Sequence, residues 1–280
     1  MKAGVVSRTD TEAAFPVARK AVDHLLSKGV GVVVETETSM AMELDHETAD
    51  LTDMDVDFVV AVGGDGTILR TAMGLGNPET PLLGVNMGRR GFLCEVHRDE
   101  VESAIDRIVA GRDHYSVEEC SKLTSRCVGK TDAFPDALNE VLIASSLPSK
   151  MLLYRVSVDG EQLTEIQADG AIISTPTGST AYNLSAGGSI IAPGVEAMML
   201  TAVNPYSYFR SIALPIDAKV SIELLKPRAD ALAIVDGKVY TALKPLCTCT
   251  VEASPHKTNF IRFKPFYGRL RSRLAHLQAQ

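Results

Sequence analysis

An aspartate enclosed by glycines follows an apolar run near the start of the chain. The stretch Val59–Ala72 reads VVAVGGDGTILRTA. The residues between its two apolar patterns are Gly63, Gly64, Asp65, Gly66 and Thr67. Because glycine has no side chain, it permits a sharp turn and lets a ligand approach the backbone closely. We therefore predict a buried strand that ends at these glycines and a ligand beside Asp65.

The Gly63–Thr67 loop has the composition of a phosphoryl-transfer site. A helix that begins there would supply backbone N–H groups and a helix dipole, and both favour phosphate. Since a carboxylate repels phosphate, Asp65 is useful there if it takes a proton from an attacking hydroxyl or if Mg²⁺ lies between the charges. The alternative is an Asp-Gly turn that caps a surface helix. We favour phosphoryl transfer because ligands bind at the carboxyl ends of strands in doubly wound sheets.

A second stretch rich in glycine and hydroxyl groups, Ala168–Gly194, lies between apolar strands. It reads ADGAIISTPTGSTAYNLSAGGSIIAPG. Thr177 and Thr180 offer hydroxyls for ribose or phosphate oxygens, and Tyr182 offers a flat face for a base. The Gly187-Gly188 pair permits another close approach of the backbone. The composition favours a nucleotide cradle, with an ordinary loop rich in glycine and serine as the alternative.

Asn139 and Glu140 form a third polar feature, inside the strand-like run DALNEVLIAS. Adjacent residues on a strand point to opposite faces of the sheet. Both side chains could face one pocket only at a bulge or at a strand end. On residue pattern alone, a solvated strand end is the simpler interpretation.

The elements that position these residues alternate in the first third of the chain, which predicts a parallel sheet covered on both faces. The predicted strands are Ala3–Ser7, Val30–Glu35, Val56–Gly64 and Pro81–Gly88. The predicted helices are Val17–Leu26, Thr67–Leu75 and Asp99–Ala110, and Gly29 is a stop signal for the first of them. The acidic segment Met40–Asp57 predicts a loop with a short helix.

Strands predominate from about residue 115, which predicts a second, β-rich domain. The predicted strands are Lys122–Val128, Ala137–Ser145, Leu152–Val158, Ala171–Thr175, Lys219–Leu225, Ala233–Val235 and Leu246–Glu252. Asp159-Gly160 and Asp236-Gly237 are turn signals between them. The basic and aromatic tail FIRFKPFYGRLRSRL predicts a helix that packs back on the first domain.

Composition predicts a soluble, cytoplasmic protein. The 280 residues are 45% apolar, enough for a sizeable core. The 28 basic and 35 acidic residues give a net charge of -7, which disfavours general binding to nucleic acid. Neither a signal peptide nor an apolar run of about 18 residues is evident, so no membrane association is expected. The five cysteines are odd in number and lack CxxC spacing, which indicates reduced thiols and no metal site.

Together these motifs resemble the NAD kinase family. The GGDG motif of the family is matched by Gly63–Gly66, its Asn-Glu pair by Asn139-Glu140, and its long glycine- and threonine-rich signature by Asp169–Gly188. The segment Gly84–Leu93 is similar to the family segment that follows the next strand. Diacylglycerol kinases, sphingosine kinases and phosphofructokinases carry strings like GGDG, so the long signature carries the specificity.

The resemblance implies an α/β + β fold, with a Rossmann-like N-terminal domain and a β-sandwich-like C-terminal domain. We expect residues 1–114 to form the Rossmann-like domain that carries the GGDG loop. Residues 115–257 are expected to form the β-rich NAD-binding domain, and 258–280 a C-terminal segment that packs back on the first domain.

The resemblance also implies the reaction. Members of the family transfer a phosphoryl group from ATP, or from polyphosphate in some cases, to the 2′-hydroxyl of the adenosine ribose of NAD, and the product is NADP. Mg²⁺ or another divalent cation accompanies the donor, and no tightly bound cofactor is expected. Family members are commonly homodimers or homotetramers.

Residue roles follow from the same resemblance. Asp65 would be the base that activates the 2′-hydroxyl, and Gly66 and Phe92 would lie beside the dinucleotide. Asn139 and Glu140 would hold a ribose. The residues expected to line the pocket for nicotinamide, its ribose and adenine are Asp169, Thr180, Ala181, Tyr182, Ser185 and Asn204.

The triphosphate of the donor is expected to face the Gly63–Thr67 loop during direct in-line transfer, with Mg²⁺ neutralising its charge. Arg70, one helical turn further on, is a candidate phosphate ligand, and the alternative is a surface arginine. The chain departs from many family members at Arg90, where they have leucine, and at Tyr206, where they have histidine. Arg89-Arg90 could alter how the donor is held, or be solvated. Arg210 matches a family arginine.

Three other functions are alternatives to that of an NAD kinase. A lipid kinase could use the same GGDGT loop, yet the chain after residue 115 supplies no obvious apolar cleft for acyl chains. A non-catalytic NAD(P) sensor would not need Asp65 and its glycines. A phosphatase acting on NADP would need a second carboxylate cluster of the metal-phosphatase kind. The Thr175–Gly188 signature suits a dinucleotide better than a lipid.

Overall fold

The computed structural model divides the chain into two compact units. The first unit comprises Met1–Glu119 and the segment from Thr258 onward, and the second unit comprises Cys120–Lys257. The structure describes residues 1–88, 91–127, 134–226, 230–243 and 246–271. Among these residues, no helix combines the length and the apolar character needed to cross a bilayer.

A parallel sheet forms the centre of the first unit. Its strands are β1 (Lys2–Ser7), β2 (Gly31–Glu35), β3 (Thr48–Ala49), β4 (Phe58–Gly63), β5 (Leu82–Asn86) and β6 (Val96–His97). They follow the order β5-β4-β1-β2-β3, with β6 paired to β5, and each of these pairings is parallel. Val5 and Val6 follow each other on β1 and so point to opposite faces, and both are fully buried, as in a sheet covered on both faces.

Helices alternate with these strands. They are α1 (Phe15–Ser27), α2 (Thr36–Met42), α3 (Asp65–Gly74) and α4 (Val101–Ala110). α1 has Pro16 in its first turn, where proline is tolerated, and ends before Gly29, whose φ of 73° suits glycine. α4 buries Val101, Ala104, Ile105 and Ile108, at the spacing of one helical face. α1 likewise buries apolar side chains on one face, so both helices cover the sheet with an apolar stripe.

Antiparallel sheets dominate the second unit. The strands from the unit boundary onward are β7 (Ser116–Cys127), β8 (Glu140–Ser145), β9 (Leu152–Val158), β10 (Glu161–Ala168), β11 (Gly170–Ser174), β12 (Ala197–Val203), β13 (Ile212–Pro215), β14 (Val220–Lys226), β15 (Ala231–Val235), β16 (Val239–Leu243) and β17 (Thr248–Arg262). One sheet has the order β13-β12-β11-β8-β15-β16, and β10, β9, β14 and β17 pair in another. A short helix, α5 (Tyr182–Ser185), lies between β11 and β12.

The two sheets of the second unit share a core. Tyr154 on β9 is fully buried, and its hydroxyl donates a hydrogen bond of 3.0 Å to the carbonyl of Gly170 on β11. A buried tyrosine hydroxyl needs such a partner, since an unpaired polar group is costly in the interior. This bond joins a strand of one sheet to a strand of the other, as in a β-sandwich.

The fold class predicted from the sequence is confirmed: an α/β unit built on a parallel sheet and a unit of antiparallel sheets. The acidic segment Met40–Asp57 is mostly loop and contains a short 3-10 helix at Leu51–Asp53, as predicted, but α2, which begins at Thr36, and the two-residue strand β3 were not predicted. Four strands of the second unit were not predicted, namely β10, β12, β13 and β16. The predicted end of one strand, Val128, lies outside the described residues. Residues 266–271 of the basic tail are helical.

Candidate functional site

The Gly63–Thr67 loop joins β4 to α3 at the carboxyl end of the sheet. Gly63 is the last residue of β4, and Gly64 caps α3 with an extended backbone. The N–H of Thr67 donates to the carbonyl of Gly64 at 2.9 Å, which closes the first turn. The first N–H groups of a helix have no partner within it, so this turn presents donors to a ligand.

The glycines of this loop differ in what they make room for. A Cβ at Gly63 would overlap the side chain of Thr67, so this position accommodates only glycine without movement. At Gly64 nothing lies within 4 Å of where a Cβ would be, and Gly66 is exposed. Open space beside the backbone is what close approach of a phosphate requires.

Asp65 opens α3, and its carboxylate contacts the loop that follows β5. Its Oδ2 accepts a hydrogen bond of 2.6 Å from the N–H of Phe92, and its Oδ1 accepts one of 3.0 Å from Leu93. A Cβ at Gly91 would overlap the same carboxylate. The structure thus places the backbone of Phe92 and Leu93 against Asp65, a contact that the sequence did not predict, and gives the carboxylate a fixed orientation.

Arg70 has carboxylate partners. Its guanidinium pairs with both oxygens of Glu35, donates to Glu37 at 3.1 Å and donates to the carbonyl of Ser7 at 3.2 Å. Glu35 is buried and also accepts a hydrogen bond of 2.6 Å from Thr38. The structure therefore shows Arg70 in an ion-pair network, where the sequence suggested a phosphate ligand.

In the second unit, Asn139 and Glu140 lie at a strand end, and both are buried. The carbonyl of Asn139 accepts a hydrogen bond of 2.9 Å from the N–H of Thr175, at the beginning of the predicted nucleotide cradle. A Cβ at Gly178 would overlap the backbone of Asn139. The Asn-Glu pair and the TPTG segment are thus in direct contact.

Asp236 supports this strand end. Its buried carboxylate accepts hydrogen bonds from the N–H groups of Leu138, Asn139 and Glu140 at 2.8, 2.8 and 3.0 Å. The sequence had indicated only a turn at Asp236-Gly237. Asp236 does adopt the left-handed conformation of a turn, with φ 48°, but no local pattern signals its contact with three amides almost a hundred positions earlier.

Glu140 lies close to this second carboxylate. Burial, with a smaller contribution from the charge of Asp236, raises the pKa of Glu140 to about 8. Burial also raises the pKa of Asp236, although its three backbone hydrogen bonds and Lys122 oppose that rise. One carboxylate oxygen of Glu140, Oε2, is buried and has no hydrogen-bond partner in the described part of the chain. A buried, unpaired oxygen of this kind suits a ligand hydroxyl.

A pocket of about 250 Å³ brings together three of the predicted residues: Asp169, Tyr182 and Asn204. Asn204 donates a hydrogen bond of 3.0 Å to the Asp169 carboxylate and has φ 46°, which asparagine tolerates better than most residues. The other lining residues are Leu142, Ala144, Ser145, Leu147, Pro148, Ser149, Lys150, Gly170 and Val203. Apart from Gly170, which belongs to the long signature, these residues could not be predicted from the sequence because they come from three strands and a loop.

The cradle between β11 and β12 has a buried scaffold and an exposed rim. Thr180 donates to the carbonyl of Thr177 at 3.0 Å, and Ala181 precedes α5. Tyr182 and Ser185 are exposed. Asn183, which was not predicted, is fully buried and bonds Ser179, Ser189 and Thr201, so it holds the loop in shape.

The structure describes only one of the two positions at which the chain departs from the family pattern. Arg89-Arg90 lies outside the described residues. Tyr206 is 77% exposed, and its N–H donates to the carbonyl of Gln167 at 2.8 Å. Arg210 is exposed and contacts the ring of Tyr208.

Family models match both parts of the chain. The model described as ATP-NAD kinase N-terminal domain matches residues 3–113, and the one described as ATP-NAD kinase C-terminal domain matches residues 138–263. An NAD kinase of Methanothermobacter thermautotrophicus is 37% identical over 277 residues, which cover 98% of this chain and 96% of that protein.

Solved structures show the same fold. An NAD kinase from Archaeoglobus fulgidus, crystallised in complex with ATP, has a TM-score of 0.78 and 28% identity, covering 97% of this chain and 99% of that one. Yeast NADH kinase complexed with NADH has a TM-score of 0.88 and 23% identity, covering 97% and 85%. The chain belongs to the ATP-NAD kinase family, which confirms the family and the NAD kinase function predicted from its sequence.

Proposed function

We propose that the chain transfers the γ-phosphoryl group of ATP to the 2′-hydroxyl of the adenosine ribose of NAD, and that Asp65 is the catalytic base. The observation that carries this proposal is the orientation of the Asp65 carboxylate, fixed at the N-terminus of α3 beside an open glycine loop. The similarity to an NAD kinase crystallised with ATP supports the donor. The pocket lined by Asp169, Tyr182 and Asn204 supports a dinucleotide acceptor.

Asp65 accepts the proton of the 2′-hydroxyl as the new P–O bond forms. Each of its oxygens accepts one backbone hydrogen bond, and a carboxylate oxygen has a second acceptor site for the substrate hydroxyl. Because the amides of Phe92 and Leu93 hold the carboxylate, little reorganisation accompanies the proton transfer. Positioning of this kind is the main contribution that a protein makes to phosphoryl transfer.

The phosphates of the donor are held by the turn that follows β4. In this proposal the residues that face them are Gly63, Gly64, Gly66 and Thr67. Mg²⁺ usually binds to one or two carboxylates and to substrate phosphates, so a loop with the single carboxylate of Asp65 suits an ion carried by the donor. When bound, the ion neutralises phosphate charge. Arg70 acts through Glu35 and Glu37 to brace α3, as its contacts indicate.

The dinucleotide is proposed to bind to the cradle of the second unit. The residues expected to contact it there are Asn139, Glu140, Asp169, Thr177, Thr180, Ala181, Tyr182, Ser185 and Asn204. Phe92, in the first unit, is proposed as a contact from the family resemblance. The unpaired Oε2 of Glu140 is positioned to bond a ribose hydroxyl. The exposed ring of Tyr182 offers a face to a base, and the Asp169–Asn204 pair offers an acceptor and an amide to a carboxamide.

The chain is further proposed to act in the cytoplasm as a homo-oligomer. The odd number of cysteines favours a reducing cytoplasm. A homodimer or homotetramer is supported by β16, an edge strand that exposes Val239 and Tyr240. Sedimentation velocity on purified protein tests the assembly, and a monomer at all concentrations would contradict it.

An assay with purified protein tests the function. NAD and Mg²⁺ are supplied with ATP or with polyphosphate, and NADP is detected with an NADP-specific dehydrogenase. We expect NADP with ATP. If NADP formed with polyphosphate but not with ATP, polyphosphate would be the phosphoryl donor. Tight NAD binding without NADP would support a sensor, and no NAD binding would direct attention to lipid substrates.

A further inference from the structure

The loop Gly91–Glu95 connects Asp65 to the C-terminal segment of the first unit. We propose that Arg262, at the end of β17, is a positioning residue for Asp65: it holds this loop in place, and the loop in turn orients the carboxylate. The proposal rests on the catalytic role given to Asp65 above.

Leu93 is held at both of its backbone groups. Its N–H donates to Oδ1 of Asp65 at 3.0 Å, and its carbonyl accepts a hydrogen bond of 2.8 Å from Nη1 of Arg262. Arg262 and the carboxylate of Asp65 thus bond the same residue: Arg262 bonds the carbonyl of Leu93, and Asp65 bonds its N–H. A change in the position of Leu93 would move the amide that orients Asp65.

Arg262 itself has little freedom to move. It is buried, and its Nε donates to Oε2 of Glu118 at 2.6 Å. Its guanidinium lies 4.5 Å from the ring centre of Phe260. Arg269 also donates to Glu118, at 2.7 and 2.9 Å, which fixes that carboxylate in turn. The fork of an arginine suits this arrangement because it reaches two partners at once, which lysine cannot do with the same geometry.

Glu95 fixes the other end of the loop. Its side chain is fully buried, and its Oε1 accepts hydrogen bonds from the N–H groups of Phe263 at 2.8 Å and Lys264 at 2.9 Å. Arg262 and Arg269 lie within 3.5 and 3.8 Å of its other oxygen. The end of β17 is therefore joined to the loop at Leu93, and the residues that follow β17 are joined to it at Glu95.

The loop has room to move if these contacts are lost. A cavity of about 100 Å³ is lined by Gly91 and Glu95 on the loop and by Lys264, Gly268 and Arg269 on the C-terminal segment. A tightly packed neighbourhood would hold the loop whatever its hydrogen bonds. On the side of the cavity the loop is restrained by the hydrogen bonds of Arg262 and Glu95, whereas elsewhere Leu93 and Cys94 are buried and the N–H of Glu95 donates to the carbonyl of Gly84 at 2.9 Å.

Hydrogen exchange and kinetics together test the proposal. The variants are Arg262→Met, which removes the donors, and Arg262→Lys, which keeps the charge. We expect the amides of Phe92 and Leu93 in the unliganded protein to exchange at least about tenfold faster in Arg262→Met, and kcat to fall by a similar factor. KM for NAD and for ATP should change by less than about threefold, and Arg262→Lys should lie between wild type and Arg262→Met.

Arg155→Met is the matched control, because Arg155 also pairs with two glutamates, Glu165 and Glu223, at an exposed position of the second unit. It should leave exchange at Phe92 and Leu93 unchanged. If Arg262→Met does not fold, Glu118→Gln, which weakens the hold on Arg262, replaces it. Unchanged exchange at the two amides, or faster exchange with unchanged kcat, would overturn the proposal.

A failure of the Arg262 proposal can be distinguished from a failure of the proposal that Asp65 is the catalytic base. In a double-mutant cycle, Arg262→Met should have no further effect on the residual rate of Asp65→Asn, because both act through the same carboxylate. An equal loss in both backgrounds would show a merely structural role for Arg262. If Asp65→Asn turned over at the wild-type rate, the proposal that Asp65 is the catalytic base would fail. The exchange data would still report whether Arg262 holds the loop.

Discussion

Gly91 lies so close to Asp65 that the Cβ of any other residue at position 91 would overlap the Asp65 carboxylate. The neighbouring amides of Phe92 and Leu93 bond the same carboxylate. The glycine and the aspartate are therefore matched to each other: the absence of a side chain on one lets the other take its observed orientation.

A methyl group at position 91 should separate activity from stability. In Gly91→Ala, the carboxylate of Asp65 must move, and since it is the end of a side chain the movement costs little folding free energy. We expect kcat to fall by about 10²-fold while the melting temperature changes by only a few degrees. Steady-state kinetics and thermal unfolding measure the two effects.

Gly88→Ala is the control, because nothing lies within 4 Å of a Cβ at that position. It should retain wild-type kinetics and stability. A fully active Gly91→Ala enzyme would show that the orientation of Asp65 in the structure does not matter for turnover.

Glu140 should make the unliganded protein less stable as the pH rises. Its pKa of about 8 in the folded protein exceeds the ordinary value of 4.5, so the folded chain keeps a proton that the unfolded chain releases. The stability from this group is fully present below about pH 4.5 and is lost as the pH rises through 8. The slope should reach about 1.4 kcal/mol per pH unit. Urea unfolding at several pH values measures it.

Glu140→Gln should flatten this dependence, whereas Glu161→Gln, at an exposed position on β10, should not. The other charged groups that face the site are Asp236, Asp136 and Lys122. The account would be wrong if Glu140→Gln kept the wild-type slope between pH 5 and 8.

Gly178→Ala should displace the backbone of Asn139 and so disturb the Asn139-Glu140 pair. A Cβ there overlaps the backbone of Asn139, which cannot move as freely as a side chain. We expect a loss of about 1–3 kcal/mol in the free energy of unfolding and NAD binding at least about tenfold weaker. Calorimetric titration with NAD measures the affinity.

For comparison, Gly31→Ala places a Cβ at ordinary contact distances of 3.6 and 3.8 Å. It should leave NAD affinity unchanged. Wild-type affinity in Gly178→Ala would mean that Asn139 does not help to bind the dinucleotide.

Arg70 should contribute more to the stability of the fold than to binding of the phosphoryl donor. Arg70→Gln leaves the buried carboxylate of Glu35 without its cation, which we expect to cost about 2–3 kcal/mol. Adding Glu35→Gln should restore part of that loss. Denaturant unfolding of the single and double variants measures both effects.

The solvent-accessible ion pairs of Arg155 provide the reference, and Arg155→Gln should lower the stability clearly less than Arg70→Gln does. Unchanged stability in Arg70→Gln, accompanied by a large rise in KM for ATP, would contradict the ion-pair role and favour the phosphate ligand.

Local pattern was sufficient for most elements of the first unit and for the motif at its centre, although not for α2, β3 and β6. β4 is an unbroken buried run that ends in glycines, so the strand, the loop and α3 could all be predicted, although α3 begins two residues earlier than expected. In the second unit, the run Ala197–Val203 of β12 has no alternation, and short apolar runs do not distinguish a strand from a helix.

Long-range contacts in the site could not be predicted. Asp236 bonds amides 96–98 positions away, and Asp65 bonds amides 27 and 28 positions away. No periodicity or turn signal encodes such pairs, because they depend on how strands are brought together. The residue types at Asp65 and Asn139-Glu140 indicated chemistry, but their supporting partners became visible only in the fold.

The most direct test of the central claim is the Asp65→Asn variant, assayed for NADP formation from NAD and Mg-ATP alongside calorimetric NAD binding. If Asp65 is the catalytic base, the affinity for NAD should stay within about threefold of wild type, and turnover should fall by about 10²–10⁴-fold. Wild-type turnover in this variant would contradict the mechanism.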